Sequence, residues 1–256
     1  MSMPFYVAPE QVMKDRADYA RKGIARGRSL VALVCEPGIL ICAENPQRLR
    51  KVSEIHDRIA FAGVGKYNEF DQLRIAGVRH ADLKGYAYSR EDVDARSLAN
   101  QYAQILGPIF THEMKPMEVE ILVAEVGGDP DADLLYRILY DGTVVDETSV
   151  TVLGGEADTI LTRLEGAWHT GLSLAEALDV ARRALSGPDR DLAADQLEVA
   201  LLDRNAEHRA FRRIEGAHLA ELVPDATAAD PDGGAAADPD TDTSASDDRT
   251  DGPPAG

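Results

Sequence analysis

The chain has 256 residues, 44% of them hydrophobic, enough for a globular protein with a sizeable core in one domain or two. Its formal net charge of −18 repels a phosphate backbone, which excludes nucleic acid as the expected partner. No apolar run approaches the ~20 residues that span a bilayer, the start MSMPFYVAPEQ lacks the pattern of a secretory leader, and only two cysteines occur, so no membrane contact and a reduced, cytoplasmic setting are expected.

Residues 1–8 form a short arm carrying Phe5, Tyr6 and Val7. Pro9 suits the first turn of a helix, where its missing N–H costs nothing, and Glu10 stands at the positive end. Val12, Ala17, Ala20 and Ile24 recur at helical spacing, predicting a helix over 9–26 that ends at Gly27. Two β-rich runs, SLVALVC and GILICA, flank Glu36-Pro37-Gly38; Pro and Gly at the central positions predict a hairpin closed by a type II turn. A second strand pair is expected over 49–55 and 58–64, with Lys51 sharing a face with Leu49, Ser53 and Ile55. GVGKY (63–67) shares glycines and a lysine with a phosphate-binding loop. Its Gly-to-Gly spacing is too short, however, and Tyr67 stands where Ser or Thr would meet magnesium, which favours a structural strand-to-helix turn.

Helices follow over 66–84 and 91–110, the second with Leu98, Tyr102, Ile105, Leu106 and Ile109 along one face. A strand over 118–126 precedes LLYRILYDGTVVDETSVTVL, in which Asp141-Gly142 signals a primed-turn hairpin. Gly154-Gly155 leads into a helix over 156–166, where Glu156 and Asp158 at the positive end favour a structural cap over an anion site. Ser173 and Glu176 form a capping box for a helix bearing Leu174, Leu178, Ala181 and Leu185 that stops at Gly187-Pro188. Strands over 196–203 and 209–214 and a short helix complete the folded part.

Strands joined by tight turns pair antiparallel, and helices arriving in pairs cover sheet faces. The expected architecture is α+β: two stacked antiparallel sheets with helix pairs outside, in one domain over residues 1–223. From Pro224 the chain holds nine Asp against one Arg and no aromatic residue, Leu, Ile or Val. Such a segment cannot bury enough apolar surface to offset its chain entropy, so 224–256 is expected to be a disordered acidic tail.

Candidate chemistry is sparse. The six histidines have no i+4 partner or neighbouring cysteine pair, so neither a metal nor a cofactor is expected, and no G-x-S-x-G elbow occurs. RLRKVSEI (48–55) places Arg48, Arg50 and Lys51 within four positions. Cations there either guard a strand edge or include one that receives an anion.

ENPQRLRKVSEIHDRIAFAGVGKYNEFDQLR, DLKGYAYSREDV and PEQVMKDRADYARKGIARG, together with the order of elements, resemble the α-type subunits of the 20S proteasome in their actinobacterial form. The resemblance covers essentially 1–223 and implies the N-terminal-nucleophile hydrolase sandwich, αββα. It implies no catalytic residue: the sibling β subunits attack with an N-terminal threonine whose own amine serves as base, whereas the equivalent strand here starts near Arg28 and Ser29, behind a 27-residue extension. The β lysine persists as Lys51, and Glu44-Asn45 stand near the β aspartate.

For the α family the lysine matched by Lys51 accepts the C-terminal carboxylate of an activating AAA ATPase. The arm Met1, Ser2, Met3, Pro4, Phe5, Tyr6, Val7, Ala8 and Pro9 is matched to the gate over the axial pore, although it lacks the Tyr-Asp gate pattern of archaeal and eukaryotic relatives. The implied partners are further copies in a heptameric ring, the proteasome β subunit, the ATPase, and proteins tagged by a ubiquitin-like modifier. Two rival readings are a free-standing amide hydrolase of the same fold, processed to begin at Ser29, and a binding module acting through the acidic tail.

Overall fold

In the computed structural model, residues 8–47 and 49–223 are described; most of the predicted arm and all of the predicted tail lie outside them. Helix α1 (Pro9–Ile24) precedes strands β1 (Leu30–Cys35), β2 (Gly38–Glu44), β3 (Val52–His56) and β4 (Ile59–Gly65). Helices α2 (Tyr67–Ala87) and α3 (Ala95–His112) follow, then β5 (Val119–Glu125), β6 (Leu134–Ile138), β7 (Val144–Glu147) and β8 (Val150–Leu153). Helices α4 (Ala157–Ala167) and α5 (Leu174–Ser186), strands β9 (Leu197–Asp203) and β10 (Phe211–Ile214), and helix α6 (Gly216–Leu222) complete the order.

Strand alternation sorts these elements into layers, because successive side chains point to opposite faces. Leu30, Ala32, Ile39 and Ile41 meet Val52, Ala60, Ala62, Leu122 and Ala124 in a core between two sheets. The intervening residues Val31, Leu33, Leu40 and Cys42 face outward onto Ile160, Leu164, Leu178 and Leu185 of α4 and α5. On the other sheet Phe61, Ile121 and Val123 face Phe70, Leu73, Leu98, Tyr102 and Leu106 of α2 and α3. One sheet has the order β10-β9-β2-β1-β8 and the other β3-β4-β5-β6-β7, with antiparallel neighbours in both. This is the expected αββα sandwich. Ala20 and Ile24 bring α1 into the core between the sheets.

Several local expectations are corrected. The pairing of Cys35 with Gly38 makes Glu36 and Pro37 the central turn residues, not Pro37 and Gly38. Gly38 instead opens β2 at φ +143°, where a Cβ would lie 1.9 Å from the Leu202 carbonyl oxygen. The β6–β7 connection is longer than a two-residue turn. Gly142 N–H donates to the Leu139 carbonyl at 3.0 Å and Leu139 N–H to that of Thr143 at 2.9 Å, with Tyr140 and Asp141 central. At α4, Glu156 makes no side-chain cap; the Gly154 N–H before it donates to the Glu120 carboxylate at 3.1 Å. Strand β3 begins at Val52 rather than 49, leaving Leu49 half exposed and Lys51 in the approach to the strand. The capping box of α5 forms as expected, with Ser173 N–H donating to Glu176 at 2.9 Å.

A buried ion pair ties the two sheets together. Arg204, after β9, donates through both terminal nitrogens to Asp133, before β6, at 2.9 and 2.8 Å, and also to the Gly127 carbonyl at 3.2 Å. The Asp133 side chain is fully buried. Asp133→Ala strands a buried guanidinium, so urea unfolding should show a loss of about 3–5 kcal/mol; a loss below ~1 kcal/mol would contradict the clamp.

Candidate functional site

Lys51 is half-buried, and its ammonium is already engaged. Nζ donates to the Arg28 carbonyl at 2.7 Å and to the Glu44 carbonyl at 2.9 Å. The first carbonyl precedes β1 and the second closes β2, so the side chain reaches from the β3 edge of one sheet back to the other sheet. An ammonium carries three N–H donors, and among the described residues these two bonds leave one for a further acceptor. Burial pushes the Lys51 amine down to about 8, while the charges of Glu198 and Glu44 oppose that shift and Arg28 adds to it.

The backbone at this point rests on one carboxylate. Glu198 of β9 accepts from Lys51 N–H at 2.8 Å, Val52 N–H at 3.1 Å, Asn45 Nδ2 at 2.7 Å and Arg213 Nη1 at 3.0 Å. Arg213 Nη2 donates to the Val52 carbonyl at 2.6 Å. Nearby, the buried Glu44 carboxylate pairs with Arg28 at 2.9 Å and Arg190 at 3.0 Å. These three residues, with Ser29, Arg26 and Arg163, line a cleft of about 470 Å³.

Ser29 is buried just before β1, and its carbonyl accepts the Glu44 N–H at 3.1 Å. Arg28 and Ser29 follow α1, whose Ala20 and Ile24 are buried in the core between the sheets. Arg50, beside Lys51, is paired with Glu215 at 2.5 Å. Arg48 lies outside the described residues. So do Met1, Ser2, Met3, Pro4, Phe5, Tyr6 and Val7 of the predicted gate, whereas Ala8 is the N-cap of α1 and Pro9 its first residue. Ala8 has no capping side chain, but its carbonyl accepts the Gln11 N–H at 2.9 Å.

Glu198, Arg213 and Arg190 were not legible as site residues. The one cue was a charge inside the otherwise apolar run LEVALL, a residue type that is buried only when it is paired. Among the described residues, no group of three or more His, Cys, Asp or Glu side chains is arranged to hold a metal ion, and no helix is long and apolar enough to cross a membrane.

Comparison with known proteins gives a consistent result. The family model described as "Proteasome subunit" matches residues 24–202. "Proteasome subunit alpha" of Acidimicrobium ferrooxidans is 63% identical over 226 residues, covering 88% of this chain and 97% of that one. The protein of the same description from Xylanimonas cellulosilytica is 58% identical over 231 residues, covering 86% and 95%. That of Thermobifida fusca is 56% identical over 230 residues, covering 88% and 92%.

The cysteines stand apart from this site. Cys35 and Cys42 are free and buried on the outer face of their sheet, and burial pushes both thiols up to about 12. A thiol reagent at about pH 8 should therefore label neither in the folded chain and both in guanidinium; rapid labelling of the native protein would contradict the packing.

Proposed function

The chain belongs to the proteasome subunit family as an α-type member, and from that membership we propose that it is a non-catalytic outer-ring subunit of a 20S core particle. Seven copies close a ring, template a ring of catalytic β subunits, gate entry with their N-terminal arms and dock a ring-shaped ATPase that delivers tagged proteins in the cytoplasm. The observation that supports the non-catalytic reading is the packing of α1: Ala20 and Ile24 are buried between the sheets and Gly23 lies against Glu118, so the segment ahead of β1 belongs to the folded core. Catalysis by an N-terminal nucleophile needs a hydroxyl and a free amine on one residue, and freeing the Ser29 amine would require removal of this core-packed helix.

Lys51 supplies the docking contact. Its positive charge and the third N–H, unpaired among the described residues, suit a carboxylate arriving from outside the chain, and the carbonyls of Arg28 and Glu44 hold the ammonium in one place. A hydrogen bond to a charged group contributes about 1.5–3 kcal/mol net. Pro9 and the Ala8 carbonyl start α1 at a fixed point. The short, Pro-bounded arm then has little chain entropy to lose on closing over the pore.

These assignments have measurable consequences in particles assembled with the β subunit. Lys51→Ala should lower ATPase stimulation of proteolysis, taken as a ratio to the variant's own unstimulated rate, by about tenfold or more; equal stimulation in mutant and wild type refutes docking at Lys51. Only the protonated amine attracts a carboxylate. With the Lys51 amine lowered to about 8, the charge is present at neutral pH and is lost as pH rises through that value. The stimulation ratio should therefore fall between about pH 7 and 9, and a flat ratio across that window contradicts a lysine contact. Deleting residues 2–8 should speed entry of peptides and unfolded proteins; an unchanged rate speaks against a gate.

A further inference from the structure

Strand β3 is one edge of its sheet, so the N–H groups of Val52 at its start and of Lys51 just before it need acceptors outside the β3–β4 ladder. Glu198 provides them from the other sheet. One carboxylate oxygen takes Lys51 N–H and Asn45 Nδ2, and the other takes Val52 N–H and Arg213 Nη1. The Glu198 side chain is only 9% exposed, so these four donors replace its hydration. Lys51 is consequently held at both ends, its backbone by Glu198 and its ammonium by two carbonyls of the same opposing sheet region.

We propose that Glu198 is the positioning residue of the Lys51 docking site, fixing the Lys51–Val52 backbone so that the ammonium is presented at one place and in one direction. The proposal rests on the docking role given to Lys51 above. Two properties of Glu198 act together. Its reach sets where the backbone lies, and its negative charge supports the cationic form of a lysine that burial discourages. Among the described residues, the charged groups facing Lys51 are Glu198 from β9, Glu44 from β2 and Arg28 from the segment before β1. Glu198 itself is paired with Arg213 from β10. Arg213 is held in turn by the Val52 carbonyl and lies over the Phe211 ring.

The two properties separate in two substitutions. Glu198→Gln keeps the length and removes the charge, whereas Glu198→Asp keeps the charge and shortens the reach. The assay uses assembled particles and a free-acid peptide copying the C-terminal residues of the cognate ATPase, with its C-terminal amide as control. Peptide-stimulated hydrolysis is normalised to each variant's unstimulated rate and followed against pH. Glu198→Gln should weaken the free-acid peptide about tenfold and move the high-pH midpoint of stimulation down by about half a unit or more. Glu198→Asp should keep the wild-type midpoint and lose affinity. A Gln variant with the wild-type midpoint and affinity overturns the proposal. If the Gln variant fails to assemble, the Asp variant decides: wild-type affinity overturns the proposal, and weakened affinity at an unchanged midpoint supports it. Lys51→Ala separates the two levels. If it leaves stimulation by the free-acid peptide intact, the docking reading fails; if it abolishes stimulation while the Glu198 variants behave as wild type, the positioning role alone fails.

Discussion

The site depends on where helix α1 is packed. Ala20 and Ile24 are buried in the core between the two sheets, and Gly23 lies so close to Glu118 that a Cβ would sit 2.1 Å from its carboxylate oxygen. The chain leaving α1 has therefore only Ala25, Arg26 and Gly27 in which to turn before Arg28 and Ser29 lead into β1. That tight passage makes the head of β1 an internal peptide and directs the Arg28 carbonyl toward Lys51. A lysine beside a strand start becomes, in this setting, a cation moored to two backbone carbonyls.

Charge pairing around the strand start follows a consistent rule. The chain is strongly acidic as a whole, yet the carboxylates at this site are each matched: Glu44 by Arg28 and Arg190, and Glu198 by Arg213 together with backbone and amide N–H groups. Buried charges of this kind add little net stability compared with apolar packing, but losing one partner leaves the other uncompensated and is costly. Their value lies in geometry. They tie the β2–β3 connection, the edge strand β3 and the β9–β10 hairpin to common points, and the Arg204–Asp133 pair does the same for the β5–β6 and β9–β10 connections.

Much of the fold was legible because it rests on local periodicity. The alternation of SLVALVC and GILICA, the face formed by Leu98, Tyr102 and Leu106, and the Ser173/Glu176 box each report interactions within a few residues. The errors arose where distant chain segments set the local geometry. Gly38 is required by the Leu202 carbonyl, a neighbour on β9, so the turn moved back by one residue from its Pro-Gly reading. The start of β3 is held by Glu198, which lies 147 residues from Lys51, and no pattern around RLRKVSEI reveals that. Lys51 was found through family resemblance; its moored, half-buried state and the carboxylate that holds its backbone required the fold.

Whether this chain forms the outer ring of a larger particle, as proposed, can be read from its native mass on co-expression with a cognate β subunit, supported by particle images. The expected result is a barrel with the two chains in equal copy number and this chain in seven-membered outer rings. A monomer or small oligomer that never recruits the β subunit would contradict it.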